Sequence, residues 1–468
     1  MKPEYYVSRY LNVIRLDCGE KDLLFSGING CIDEVPGALG AILSAGEHAR
    51  LRELSPDNLK FLSERGHITT LPPETELEQF KELVSGLHNS QVKRPSSGGI
   101  ILLASYTCNL ACEYCFQRKH RSKNFGTIMP LQLVDDIFDK HLPSLLPGIS
   151  NLSLSLYGGE PFLPANEAVI RRALWQAGKR PGIPVVATTN GTTVDVMPDI
   201  FGPGQGKVNK VQISLDGWRQ THDKSRIPAN GLPTFDKILS NIRLLLDRDT
   251  EIDIRINVDR TKIGALPGLL AELRSMKIAG DPNVRIYAYP LHEGISGAES
   301  PHFMGLGEMA QKISEMGLEM DCPSTLKNMD VSRLYKLTQG IGLTRTACCM
   351  QIFQHYLVID PFGDIYVCTE EAGNPEFRVG HIDETGVKFF PLRETYKSRH
   401  LENLPDCLRC SVALACGGHC GVQCRMKTGD LFKVQCDDLK DAILDSIKRG
   451  YGRELPQIER AATAPRLS

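Results

Sequence analysis

Ile100-Ile-Leu-Leu-Ala104-Ser-Tyr-Thr-Cys108-Asn-Leu-Ala-Cys112-Glu-Tyr-Cys115-Phe116 is an apolar run that breaks into three cysteines at C-x3-C-x2-C spacing. The run before Ser105 predicts a buried strand, and the cysteines then lie on the loop that leaves it. Three thiolates on one short loop can hold three irons of a 4Fe–4S cluster. The fourth iron keeps an open position, where a small molecule can bind and react. Zinc, completed by His120, is the competing reading of the same cysteines.

The chain has 468 residues, too many for one ordinary core, so two or three domains are expected. A formal net charge of −2 gives no electrostatic footprint for a nucleic-acid partner. No stretch is long and apolar enough to span a bilayer, and Met1-Lys-Pro-Glu-Tyr-Tyr lacks the pattern of a secretory signal. A cytosolic protein without membrane or nucleic-acid partners is expected. The 15 cysteines then point to metal, because a reducing compartment disfavours disulfides. Three lie at 108–115 and nine between 348 and 436, leaving Cys18, Cys31 and Cys322 as small buried apolar residues.

Residues 1–95 read as a small α+β domain. Strands are expected over 5–16 and 22–34, with a turn at Gly27-Ile-Asn-Gly30, and helices over 38–49, 55–66 and 74–87. Ser55-Pro56-Asp57 forms the second helix start. Polar residues 90–99 read as a linker. Residues 96–330 alternate strands (100–107, 152–158, 184–190, 208–215, 252–258, 284–289) with helices (131–141, 166–178, 234–247, 266–276). That alternation predicts an α/β fold, a partial (β/α)6 barrel with helices outside a parallel sheet. Such folds place active sites at the C-terminal ends of their strands, where the C-x3-C-x2-C loop falls. Residues 331–450 form a cysteine-rich domain that needs metal to stabilise it, and 451–468 a polar tail.

Polar motifs recur at successive strand ends: Tyr157-Gly158-Gly159-Glu160-Pro161, Thr189-Asn190-Gly191, and Ser214-Leu-Asp216-Gly217 followed by His222-Asp223-Lys-Ser-Arg226. With the three cysteines, this series resembles the radical S-adenosylmethionine (radical SAM) enzymes. The resemblance implies a 4Fe–4S cluster on Cys108, Cys112 and Cys115. SAM would chelate the open iron and be cleaved reductively to a 5'-deoxyadenosyl radical. It further implies that Gly158, Gly159 and Glu160 hold the methionine ammonium, that Asn190 belongs to the cofactor site, and that Ser214 contacts the ribose. Arg226 would bind the methionine carboxylate, which suits an arginine fork. Tyr114 would meet the adenine through its backbone.

Cys348-Cys349, Gly363-x4-Cys368, Cys407-x2-Cys410-x5-Cys416-x3-Cys420 and Cys436 resemble the SPASM domain, which carries two auxiliary 4Fe–4S clusters. On that scheme Cys407, Cys410, Cys416 and Cys436 hold one cluster. Cys368, Cys420 and one or both of Cys348 and Cys349 hold the other, leaving open an unligated iron or recruitment of Cys424 or Cys322. A zinc ribbon on Cys407-x2-Cys410 is the competing reading.

Radical SAM enzymes with this extension mostly modify ribosomally made peptides. The resemblance implies a precursor-peptide substrate, an external one-electron reductant of flavodoxin or ferredoxin type, and a thioether cross-link as product. The N-terminal domain would recognise a leader peptide in the winged-helix manner or simply cap the barrel. Basic residues 118–123 would grip an acidic peptide or form a solvated loop. The alternatives are a carbon–carbon cross-linking cyclase, a sulfatase-maturing enzyme and an iron–sulfur electron-transfer protein. In the sulfatase-maturing group an Asp follows the Cys of the G-x4-C element; here that position is Thr369, followed by Glu370 and Glu371.

Overall fold

The computed structural model describes residues 4–16, 19–93, 97–118, 124–228, 231–291, 300–318, 343–349, 355–436 and 439–454. It falls into two compact units. One gathers Met1–Lys93, Ser324–Cys349 and Arg399–Ser468, the other Arg94–Pro323 and Met350–Ser398.

In the first unit β1 (Tyr6–Val7) pairs with β5 (Ile68–Thr69), and β2 (Leu11–Arg15), β3 (Lys21–Ser26) and β4 (Ile32–Pro36) form an antiparallel sheet in the order β2-β3-β4. The stretch 22–34, expected as a strand with a turn at Gly27–Gly30, is a hairpin of β3 and β4 around that turn. Its turn closes through Gly30 N donating to Ser26 O at 2.8 Å, with Gly30 at φ +81, a conformation glycine adopts at no steric cost. Helices Gly37–Ser44, Pro56–Glu64 and Pro73–Lys93 follow. Ser55 caps the second, its Oγ accepting from Asn58 N at 3.2 Å, with Pro56 in the first turn. Leu24, Val35, Leu39, Leu43, Leu51, Leu62 and Ile68 form the core. The cysteine-rich C-terminal segment shares this unit. Tyr10 stacks on Phe80 and donates to Leu408 O at 2.8 Å, and Asn12 Nδ2 donates to Ser411 O at 3.1 Å.

In the second unit β6 (Ser97–Leu103), β7 (Asn151–Tyr157), β8 (Val185–Thr189), β9 (Lys210–Leu215), β10 (Glu251–Val258) and β11 (Val284–Pro290) lie parallel and in sequence order. Helices Leu131–Asp136, Glu167–Gly178, Phe235–Leu246 and Leu266–Ser275 intervene, which gives the expected partial α/β barrel. Val211, Ile213, Ile254 and Ile256 are fully buried on one face of the sheet. Each contributes about 1.5–3 kcal/mol relative to exposure. The alternate positions carry Gln212, Ser214, Arg255 and Asn257, so the second face is polar.

The cysteine-rich segment also contributes to this sheet. β12 (Tyr356–Ile359) pairs parallel with β6, and β13 (Asp364–Tyr366), β14 (Gly380–Asp383) and β15 (Gly386–Phe389) continue antiparallel, making a mixed ten-stranded sheet.

The linker expected over 90–99 is corrected at both ends. Helix Pro73–Lys93 runs into it, and β6 begins at Ser97. Gly98 and Gly99 are strand residues because neighbouring chains press on them. A Cβ at Gly98 would lie 2.3 Å from His355 O, and one at Gly99 2.4 Å from Ser153 Oγ. Helix Leu439–Glu454 likewise extends into the expected tail. Residues 455–468, loop residues 119–123, Cys18 and Cys322 lie outside the described residues. Among the described residues no helix is long and apolar enough to cross a membrane.

Gly99→Ala tests the packing at β6. The added methyl forces a shift of β7 and should cost about 1–3 kcal/mol. The expected readout is a lower melting temperature of the anaerobically purified protein, and an unchanged melting temperature would contradict the packing.

Candidate functional site

The ends of β6 and β7 are locked backbone to backbone. Gly159 N donates to Ser105 O at 3.0 Å and Glu160 N to Thr107 O at 2.9 Å. Side chains are excluded there: a Cβ at Gly158 would lie 2.5 Å from Ser105 O, and one at Gly159 2.2 Å from Thr107 O. Gly158 also sits at φ +148.

Glu160 is fully buried and turned toward β8. Oε1 accepts from Thr189 Oγ1 at 2.7 Å and Phe162 N at 3.1 Å, and Oε2 accepts from Asn190 N at 2.7 Å. Burial raises its pKa, with the three donors pulling the other way. The carboxylate thus pins Asn190. Asn190 Nδ2 in turn donates to Asn109 Oδ1 at 2.8 Å and reaches Cys108 Sγ at 3.7 Å, and Leu110 N lies 3.4 Å from the same sulfur. The cysteine loop is held on its other side by Ala111 N donating to Ile227 O at 2.7 Å.

Arg226 sits behind that loop at 7% relative exposure. Nη1 donates to the Tyr114 hydroxyl at 2.9 Å and lies 3.5 Å from Asp216 Oδ1. Asp216, fully buried, also accepts from Asn257 Nδ2 at 3.0 Å and has Lys262 Nζ at 3.8 Å. Arg226 Nε is buried with no hydrogen-bond partner among the described residues. A buried guanidinium donor left open beside three cysteines is the group a ligand carboxylate would satisfy. Burial raises the Cys112 thiol, and the nearby Arg226 charge pulls it back; metal ligation would deprotonate it outright.

Ser214 lies on β9 in register with Arg255 of β10. Asn257 and Lys262 join the site without a sequence signal, because Asn257 is one of several polar residues on the alternating face of β10. The Tyr114 side chain, not only its backbone, belongs to this cluster, and burial raises its hydroxyl well above the usual range.

The cysteines of the C-terminal segment divide between the two units. In the first, burial raises the Cys407 and Cys348 thiols, and neighbouring cysteines push the same way: Cys416, Cys436 and Cys410 on Cys407, and Cys420, Cys349 and Cys416 on Cys348. Gly417, Gly418 and His419 form a left-handed turn at φ +75, +85 and +58. That turn brings His419 N to 3.3 Å from Cys416 Sγ. A non-glycine residue held there costs of order 1–2 kcal/mol. Burial raises the Cys416 thiol, while the amides of His419 and Gly418 lower it, so donors are aimed at a thiolate. In the second unit Cys368, Cys115 and Glu370 all bear on the Tyr157 hydroxyl. Among the described residues no three His, Cys, Asp or Glu side chains converge on a single metal ion; a four-iron cluster instead takes one thiolate per iron.

His222 gives a pH signature. Its Nδ1 accepts from Asp216 N at 3.3 Å, and burial, aided by Arg226, lowers its pKa to about 4. The folded pKa lies below the unfolded value, so the neutral ring stabilises the fold above pH ~6.5, and that stability is lost as pH falls toward 4. His222→Asn keeps the acceptor without the titration. The wild type should lose up to about 3 kcal/mol more than the variant across this window. Asp360, raised to about 7 by burial, slopes oppositely in both proteins and cancels. Parallel pH–stability curves would contradict this assignment.

A radical SAM superfamily model matches residues 102–259. A cysteine-type anaerobic sulfatase-maturating enzyme of Clostridium novyi is 30% identical over 302 residues, 61% of this chain and 76% of the relative. The radical SAM cyclopropyl synthase TigE of Paramaledivibacter caminithermalis is 22% identical across 95% of this chain and 96% of its own. Among solved structures, anSMEcpe with bound AdoMet superposes with a TM-score of 0.53 at 17% identity, covering 77% of this chain and 98% of that one. Streptococcus suis SuiB bound to precursor peptide SuiA gives 0.51 at 14% identity, covering 92% and 98%. At these identities the structural likeness shows the fold.

Proposed function

The chain belongs to the radical SAM superfamily, and on that premise we propose that it is a maturase of ribosomally made peptides that joins a cysteine sulfur to carbon in a thioether. Superfamily membership makes it an enzyme that uses a 4Fe–4S cluster and SAM, which sets aside zinc at the first three cysteines. Those cofactors supply one-electron reductive cleavage of SAM and a carbon radical able to abstract hydrogen.

The chain's own residues bind and orient. Cys108, Cys112 and Cys115 hold the cluster. Gly158, Gly159 and Glu160 shape the ammonium subsite, and Asn190 fixes the cysteine loop to the end of β8. Arg226 holds the methionine carboxylate, Ser214 faces the ribose, and Tyr114 closes the site at the adenine. The observation that carries the reading is the open Nε donor of Arg226, buried beside the three-cysteine loop. In the SPASM-type reading the C-terminal cysteines hold two auxiliary clusters that accept the electron left after radical coupling. All described cysteines are free thiols, which suits a reducing cytosol and an external one-electron reductant. β4 is an edge of its sheet and offers a leader peptide a strand-addition surface.

A second reading, oxidation of Cys or Ser in a sulfatase, draws on the Clostridium novyi relative and on Glu370. Glu371 is occupied by the Tyr396 hydroxyl, whereas Glu370 Oε2 is buried without a hydrogen-bond partner among the described residues. Glu370 would be the base in that reading.

The test is co-expression with the short open reading frame beside the gene, followed by mass spectrometry. A two-hydrogen loss that protects a cysteine from alkylation is expected. The Cys108→Ala, Cys112→Ala, Cys115→Ala triple variant should abolish it. The same loss with every cysteine still alkylatable would replace the thioether by a carbon–carbon link. Formylglycine in a sulfatase peptide would establish the second reading.

A further inference from the structure

Arg399 is the largest fully buried side chain in the described protein. Nε donates to Leu431 O at 2.6 Å, Nη1 to His419 O at 3.0 Å and Nη2 to Gly418 O at 2.8 Å, with Cys424 Sγ 3.7 Å from Nη2. These partners are carbonyls and a thiol, and no carboxylate pairs with Arg399 among the described residues. The stem is built in: a Cβ at Gly421 would lie 2.5 Å from Arg399 Cδ and Nε. A guanidinium cannot shed its proton, and a charge withdrawn from water needs a counter-charge.

We propose that the counter-charge is the anionic iron–sulfur centre on the thiolates around Cys416, and that Arg399 is its positioning residue and buried cation. The inference rests on reading this segment as cluster-binding. The geometry of one turn supports it. Arg399 engages the carbonyls of Gly418 and His419, which leaves the amides of the same left-handed turn facing Cys416 Sγ. A fixed cation stabilises the reduced, more negative cluster and so raises its reduction potential. Arg345 acts on Cys416 as well and is unchanged in the variants below.

The experiment uses the full chain, reconstituted anaerobically on a Cys108→Ala, Cys112→Ala, Cys115→Ala background so that only the auxiliary centres give signals. Arg399 is left intact or replaced by Lys or Met. Iron and sulfide are counted, and the reduced signal is titrated against potential by electron paramagnetic resonance. Arg399→Met should hold wild-type iron yet lower the reduced-to-oxidised ratio at the wild-type midpoint about tenfold, about 59 mV for a one-electron couple. Arg399→Lys, which keeps the charge and loses the fork, should stay near the wild-type midpoint. If Met loses iron and Lys retains both iron and midpoint, the assignment also stands. A Met variant with full iron and an unmoved midpoint overturns the role of Arg399 alone. Loss of iron in both variants reduces Arg399 to a structural clip and overturns its electrostatic role. No iron on the intact-Arg399 background overturns the cluster reading beneath it.

Discussion

A guanidinium that cannot be neutralised lies almost out of reach of water at Arg226, and the surrounding strand ends are arranged to carry its charge. Asp216 supplies the opposite charge, Asn257 donates to the same Asp216 oxygen, Lys262 Nζ lies 3.8 Å from the other, and the His222 ring, held at the Asp216 amide, stays neutral above pH ~6.5. Removing one partner of such a pair would leave a buried charge uncompensated, at about 3–5 kcal/mol. The Arg226 side chain is therefore fixed, with its Nε donor unpaired among the described residues. The three-cysteine loop is tied to the segment after Arg226 through Ala111 N donating to Ile227 O.

The glycine clamp at residues 158–159 performs the same service for the other half of the site. Two carbonyls of the β6 loop accept amides of the β7 loop at distances no side chain would permit. Glu160 then transmits that position to Asn190, and Asn190 to Cys108. Backbone contact, a buried carboxylate and a sulfur contact form one chain across three strand ends. Ligand positions in parallel α/β folds concentrate at such ends because the loops there converge.

Much of this was legible in the sequence. The six parallel strands announced themselves as short apolar runs separated by helical periods, and the cysteine, glycine and acidic motifs fell where those runs stopped. What escaped was non-local. Gly98 and Gly99 resemble linker residues, and only the approach of His355 and Ser153 makes them strand residues. β12 carries no mark in Tyr356–Ile359 that says it will pair with β6, more than 250 residues earlier. Asn257 and Lys262 become meaningful only once Asp216 is seen buried between them and Arg226. Arg399, embedded in an ordinary polar stretch, gave no sequence signal, because its significance lies in partners that, among the described residues, are carbonyls and a thiol with no paired acid.

On the proposed function the strand-end site takes the amino-acid end of SAM, with the carboxylate on Arg226 beside the cluster of Cys108, Cys112 and Cys115. The most direct measurement compares anaerobic equilibrium binding of SAM and decarboxylated SAM to the reconstituted wild-type protein. Loss of the carboxylate is expected to weaken binding about ten- to hundred-fold, or about 1.5–3 kcal/mol for a charged hydrogen-bonded contact. Equal affinity for the two compounds would contradict it.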